Sequence, residues 1–543
     1  MWAASLWILQ AGNPVWNYFR RQFDPALNPF RGLYQLNGFD LALVVPYFLV
    51  LGILAVYGLH RYWLVYEYFK YRQNRPPQPP EPSDWPKVTI QLPIYNERYV
   101  VDRLIDAVAA LDYPRDRLEI QVLDDSTDET QQVARAAVER QRALGLPIQY
   151  LHRANRVGFK AGALAEGLRH ATGELIAIFD ADFLPPPDFL RRTVPYLVAD
   201  PKVGMVQARW TYVNRQYSLL TEIEAILLDG HFVIEHGARF RRGVFFNFNG
   251  TAGVWRRAAI EDAGGWHYDT LTEDTDLSYR AQLRGWKFIY LPEVECPSEL
   301  PVEMNAFKTQ QARWAKGLMQ TARKTLPLVL RAPVSWRIKA EAVLHLTANI
   351  SYPLMVVLSV ILLPAMIVRF YQGWFQMLLI DLPLFVASTC SVSTFYLVSQ
   401  RELYPKTWKR TFLLLPMVMA VGIGLCVRNA RAVLEALFGV RSEFARTPKY
   451  RIEQKGQSWL RNKYRRRAGW SPLVELALGA YFLFTVFYAY ENENYATLPF
   501  LLLFVWGYLY TGILSLGQGM FERLRLGTAA SETRPAAAGV PSF

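Results

Sequence analysis

Glu174-Leu175-Ile176-Ala177-Ile178-Phe179-Asp180-Ala181-Asp182 is an apolar run of strand length that stops on two carboxylates. Read outward from it, the same pattern recurs. Residues 87–92, 119–123 and 148–151 read as further strands, and 98–111, 130–144 and 161–170 carry helical spacing between them. Short apolar strands alternating with helices predict an α/β fold built on a mostly parallel, doubly wound sheet. In such sheets ligands bind beyond the carboxyl ends of the strands. Asp124 ends the second strand and Asp180 the fourth, so the acidic residues are expected at that edge.

The rest of the chain has a different character. Residues 41–59, 342–368, 382–400, 411–427 and 495–521 carry no charge, and 472–490 carry only Glu475. A bilayer core takes about 20 apolar residues, and buried helices of soluble proteins seldom stay uncharged that long. Segment 411–427 is short and holds Pro416, Gly422 and Gly424, so a re-entrant or interfacial course is expected there. Between residues 428 and 467, twelve Arg or Lys stand against three Glu, which accounts for +9 of the net +13. A basic run between apolar stretches marks a cytosolic loop beside anionic lipid. No nucleic-acid motif accompanies it, so nucleic acid is excluded as a partner. Cys296, Cys390 and Cys426 lack the spacing of a zinc site or a disulfide framework.

These readings divide the chain. Residues 1–75 hold an interfacial segment and a first span, and the Pro-rich stretch 76–86 is a stiff linker. Residues 87–330 form the α/β domain, which ends in amphipathic interface helices. Residues 331–526 form a membrane bundle with the basic loop 428–467, and 527–543 read as a disordered tail. Charge predicts a cytosolic α/β domain in a plasma or inner membrane, with five full crossings.

Within the α/β domain, Tyr95 and Glu97 follow the first strand, where they can stack on and hydrogen-bond a nucleobase; an ordinary turn capped by Asn96 gives the same string. Asp124, Asp180 and Asp182 supply hard oxygen ligands suited to Mg2+ or Mn2+ shared with a diphosphate. Lys160 opens a helix from which it can reach phosphate, or it is a surface lysine. Asn249 lies in a run of small and polar residues that suits a sugar pocket. Glu273 and Asp274 sit at a helix start, which suits both first-turn acids and a general base. Gln310, Arg313 and Trp314 share one helical face, pairing a phosphate fork with a flat plate for a pyranose ring. An interfacial helix with an aromatic anchor would look the same.

As an ordered set, residues 122–128 (VLDDSTD), 179–183 (FDADF), 248–255 (FNGTAGVW), 272–277 (TEDTDL), 283–288 (LRGWKF) and Gln310–Trp314 resemble the processive family 2 glycosyltransferases. The likeness is closest to the cellulose-synthase-like A mannan and glucomannan synthases and their bacterial relatives. It implies a GT-A-like catalytic domain that uses a nucleotide sugar, GDP-mannose or UDP-glucose, and inverts the anomeric centre. By the same likeness Asp124 and Asp180 help hold the nucleotide, Arg313 grips the diphosphate and Asp182 ligates the metal, with Tyr95, Glu97 and Lys160 as further donor-binding candidates. Asp274, with Glu273 beside it, is the base; Gln310, Trp314 and Asn249 meet the acceptor. Residues 442–449 occupy the stretch comparable to a gating loop, with Thr447 and Lys449 as its candidates. The expected activity is polymerisation of a β-linked hexose polysaccharide (mannan, glucomannan or glucan) with translocation of the product. The alternative is transfer of one sugar to a membrane lipid such as ceramide or diacylglycerol. A scaffold with a dead site would have no reason to keep Asp124, Asp180, Asp182 and Asp274.

Overall fold

The computed structural model describes residues 37–370, 383–384, 386–440, 444–460, 462–464 and 469–532. Helix α1 (Gly38–Lys70) comes first, capped by Asn37 and Asp40, each side chain bonding the other's backbone N–H. The α/β domain then runs β1 (Val88–Ile94), α2 (Val101–Ala109), β2 (Leu118–Asp124), α3 (Thr130–Ala143), β3 (Ile148–His152), α4 (Phe159–His170), β4 (Leu175–Ile178) and α5 (Phe189–Ala199). It continues with β5 (Val203–Tyr212), α6 (Leu219–Gly230), α7 (Gly237–Arg242), β6 (Gly253–Arg256), α8 (Arg257–Asp262), α9 (Glu273–Leu283) and β7 (Lys287–Ser298).

The strands form one sheet in the order β3-β2-β1-β4-β6-β5-β7. It is mostly parallel, as the alternation predicts; β6 alone runs antiparallel to both its neighbours. Helices cover both faces, so β1 and β2 are buried along their whole length. Val88, Ile90 and Leu92 point to the face packed by α2, α3 and α5, and Ile176 and Ile178 to the face packed by α4, α8 and α9. Each of these side chains gains about 1.5–3 kcal/mol on leaving water. The polar alternates of β1 and β2 are paired. Thr89 Oγ1 donates to Glu119 Oε2 at 2.7 Å, and Gln91 Nε2 to Gln121 Oε1 at 3.1 Å. The sheet changes direction at β1 and β4, the switch point where a ligand crevice opens.

Helices α10 (Met304–Arg331), α11 (Trp336–Thr347) and α12 (Ser351–Phe370) lead into the apolar region, followed by α13 (Ser391–Leu403), α14 (Thr411–Gly424), α15 (Cys426–Leu437), α16 (Ser471–Glu491) and α17 (Leu498–Glu532). Among the described residues four helical stretches are long and apolar enough to cross a membrane: Gly38–Lys70, Trp336–Arg369, Ser471–Glu491 and Tyr495–Gln518. They mark a membrane protein. Trp408–Gly424 and Cys426–Leu437 pass that test only as a pair, bent by 42°. The bend falls at Leu425, inside segment 411–427, and fits either a broken span or a re-entrant loop. Segment 382–400 lies partly outside the described residues, as does the first interfacial segment. Helix α17 runs through Glu532, which corrects the reading of a disordered tail from 527; α17's own ladder carries the chain past Gly527.

The two regions are tied by charge. Lys308 of α10 and Glu475 of α16 form a fully buried ion pair, and Lys308 Nζ also donates to Ser515 Oγ at 2.6 Å. Truncating either partner would strand a buried charge, at a cost of about 3–5 kcal/mol.

Candidate active site

The crevice beyond β1 and β4 holds a cavity of about 160 Å³. Asn96 (φ 52°), between the lining residues Tyr95 and Glu97, and Phe159 (φ 51°), next to the lining Lys160, are non-glycine residues on left-handed backbone. Such conformations cost of order 1–3 kcal/mol each and gather at functional sites. Lys160, on the first turn of α4, donates to Gly250 O at 3.0 Å and pairs with Asp180 Oδ1 at 2.5 Å. Asp182 pairs through Oδ2 with Lys449 Nζ at 2.8 Å. Each carboxylate of the Asp-Ala-Asp turn is thus met by an ammonium, and a divalent ion suited to these hard oxygens would have to displace Lys449 from Asp182.

Glu273 and Asp274 begin α9, although Thr272 does not cap it: its hydroxyl meets Thr321 Oγ1 at 3.1 Å instead. Two glycines set their position. Gly250 (φ +82°) sits so close that a Cβ there would lie 3.0 Å from Asp274 Oδ2. At Gly317 a Cβ would lie 2.5 Å from Thr272 Cγ2, so only glycine lets α10 pack directly on the turn before Asp274. Leu271 N completes this contact by donating to Gln320 Oε1 at 2.9 Å. Burial and the neighbouring Glu273 push the Asp274 carboxyl up to about 7, against hydrogen bonds from Thr275. Burial also raises Glu273, opposed by Lys160. A carboxylate poised near neutrality can take a proton and release it again.

The opposite wall is α10, which presents Gln310, Arg313 and Trp314 to the cavity. Against it lies the segment from Phe444 to Lys449; Ser442 and Glu443 fall outside the described residues. Arg313 stacks its guanidinium 4.5 Å from the Phe444 ring centre. Arg446 Nε lies 3.3 Å from Glu97 Oε1, and its Nη1 donates to the Tyr95 carbonyl at 3.0 Å. Burial pushes Glu97 up to about 7, with Arg446 holding it down. Tyr95 carries the Arg156 guanidinium 3.4 Å from its ring centre.

The structure brings together Tyr95, Glu97, Lys160, Asp180, Asp182, Asn249, Glu273, Asp274, Gln310, Arg313 and Trp314 around this cavity. Asp124 is the correction. It has no exposed surface, and its carboxylate turns inward to accept from Ser126 N at 2.8 Å and from the Tyr150 hydroxyl. Its neighbour Asp125 lines the cavity instead, paired with Arg153. Alternation along a strand sends adjacent side chains to opposite sides, so a one-residue choice decides which acid faces the ligand. Arg156 and Arg446 escaped the sequence reading, because neither carries a local signal. A separate acidic group, His267, Asp269 and Asp276, lies close enough together for a metal. Lys324 Nζ already sits 2.7 Å from Asp269 Oδ1 and 3.0 Å from Asp276 Oδ1, so its charge is met.

A second cavity, of about 1000 Å³, opens from the same place. Asn249, Thr272, Asp274 and Trp314 line both. The larger cavity continues between α1, α12 and α17 as far as Arg369 and Phe504.

The model of the family described as glycosyltransferase like family 2 matches residues 86–317, which include every candidate from Tyr95 to Trp314. Glucomannan 4-beta-mannosyltransferase 2 of Arabidopsis thaliana is 48% identical over 253 residues, 46% of this chain and 47% of that protein. Glucomannan 4-beta-mannosyltransferase 1 of Oryza sativa subsp. japonica is 49% identical over 253 residues, 46% of this chain and 49% of that protein. The chain spans about half the length of the curated relatives it matches. Among solved structures, a mannosyltransferase from Pyrobaculum calidifontis in complex with GDP-Man and Mn2+ has a TM-score of 0.47 at 22% identity, over 72% of this chain and 100% of that one. On its mixed, mostly parallel sheet the chain thus carries, at residues 86–317, a domain similar to the family described as glycosyltransferase like family 2.

Proposed function

We propose that this protein is an inverting mannosyltransferase that extends a β-linked mannan or glucomannan from GDP-mannose and passes the product into its own helical bundle. The observation that carries the reading is the junction of the two cavities. Asp274 and Trp314 stand where the smaller, charged cavity meets the larger one between apolar helices. Identity of 48% to a glucomannan 4-beta-mannosyltransferase supports mannose over glucose as the donor sugar.

In this reading the nucleoside diphosphate lies in the small cavity, near Tyr95 and Glu97, with its phosphates toward Lys160 and Arg313. Asp182, with Asp180 beside it, would hold a divalent ion, which when bound neutralises charge on the leaving diphosphate. The acceptor hydroxyl points at Asp274, which takes its proton as the oxygen attacks the anomeric carbon. The bond to the diphosphate breaks on the opposite face, inverting the centre. Trp314 supports the acceptor ring from α10, and α10 excludes water from the junction. For a donor to enter, the contacts of Arg446 with Glu97 and of Lys449 with Asp182 must open.

A panel of labelled nucleotide sugars on the purified chain tests the reading. Insoluble, mannanase-sensitive product from GDP-mannose is expected, and label extracted into organic solvent would favour a lipid acceptor instead. Asp182→Ala should weaken nucleotide binding about tenfold or more, since an oxygen ligand is lost. Chelation with EDTA should do the same to the unmodified protein, measured by nucleotide titration; binding unaffected by EDTA would refute the metal. The basic residues between the apolar stretches further support a cytosolic α/β domain. Cysteine labels at positions 405 and 455 should then report the same side of the membrane, and opposite exposure would mean that the bent pair α14–α15 crosses fully.

A further inference from the structure

Between α6 and α7 the helix widens into a π turn, His231–His236. Such turns are rare inside α-helices and frequently stand at functional sites. This one sets His231 and Glu235 on the wall of the larger cavity. His231 Nδ1 lies 2.8 Å from Glu235 Oε2, and Nε2 lies 3.0 Å from Asn249 Oδ1, at the junction with the donor cavity. Their side chains keep 28% and 27% of their surface accessible. Beside them Asn247 and Arg239 are 7% and 2% exposed; Asn247 Oδ1 makes no hydrogen bond among the described residues, and Arg239 Nη1 meets only Glu235 Oε2, at 3.5 Å.

A purely structural network would close on itself, and part of this one does. Arg239 Nε donates to Glu341 Oε1 at 2.9 Å, and Glu341 meets His60 at 3.1 Å, which ties α7 to α11 and α1. That tie uses neither Arg239 Nη1 nor His231. A buried polar atom without a partner costs about 1–3 kcal/mol, so Asn247 Oδ1 in this wall calls for a ligand that can donate to it. Farther along, the cavity wall mixes Leu358, Phe395, Leu501 and Phe504 with Ser388, Thr389 and Arg369, whereas His231, Glu235, Asn247 and Asn249 stand together at the Asp274 end. There a hydroxyl-rich ring would be held by its edges.

We propose that His231, oriented by Glu235 and flanked by Asn247 and Arg239, forms a hydroxyl-binding subsite for the acceptor sugar, positioning the chain end against Asp274. The inference rests on the reading that the larger cavity takes the growing glycan. His231 is here a binding and positioning residue; the proton goes to Asp274.

The test uses the full chain in lipid nanodiscs with saturating GDP-mannose and β-1,4-linked mannotetraose as the acceptor, and follows elongation and GDP release separately. His231→Ala should raise the acceptor KM about tenfold while kcat changes far less, as expected for losing one hydroxyl contact. Glu235→Gln keeps the size of the side chain and removes its charge. It should move the acceptor KM the same way by a smaller factor, with the Kd for GDP unchanged. Both variants matching the unmodified protein in acceptor KM would overturn the inference alone, as would a fall in kcat at constant KM. Unmodified protein that binds no tetraose by direct titration would overturn the inference and the proposed function together.

Discussion

Asp274→Asn is expected to lower sugar transfer about a thousandfold while leaving GDP binding nearly intact, because general-base catalysis contributes about 10²–10⁴ in rate and little in ground-state affinity. The amide keeps the shape of the carboxylate, so the packing of Gly250 and Thr275 around it is retained. Single-turnover transfer and nucleotide titration on one preparation separate chemistry from binding. Near-normal transfer by the Asn variant would remove Asp274 from its role. The same residue sets the pH profile. Burial and Glu273 raise its carboxyl to about 7, and only the ionised form can accept a proton. The value of kcat/KM for the donor should therefore climb as pH rises through about 7, rather than being flat from pH 5 as an ordinary aspartate would make it. A flat profile across pH 5 to 8 would contradict the burial argument as well as the assignment.

Trp314→Ala should cut polymer formed per GDP released about thirtyfold, taking about 2 kcal/mol for the loss of a half-buried aromatic anchor. Trp314 lines both cavities, so its indole can support the acceptor ring while leaving the donor contacts of Lys160 and Asp180 in place. Hydrolysis of GDP-mannose to water should survive. If Trp314 were only an interfacial anchor, polymer yield and GDP release would fall together as the protein lost stability. The ratio of the two is the informative quantity, and an unchanged ratio rules out the acceptor role.

Much of the site was readable because it rests on local geometry. Strand alternation and helix spacing place Asp180 and Asp182 at a sheet edge and turn Gln310, Arg313 and Trp314 to one side of a helix. What was not readable lies between distant segments. Arg446 reaches the Tyr95 carbonyl across 351 residues of chain, and Lys308 finds Glu475 across 167. Neither partner signals the other in sequence, since each is an ordinary charged residue until packing removes water from around it. The π turn at His231–His236 is likewise silent, because its residues carry the same helical pattern as the turns on either side.

The sequence by itself determined the alternation of the first four strands with their helices, the acidic edge they end on and the apolar spans that follow, because backbone periodicity and transfer from water act residue by residue; β5, β6 and β7 appeared only in the structure. Only the tertiary structure decided that Asp125 rather than Asp124 faces the cavity, that the segment from Phe444 to Lys449 lies against Glu97 and Asp182, and that the two cavities meet at Asp274. Those outcomes depend on side-chain direction and on which distant surfaces fit at ångström scale, which only the packed chain defines.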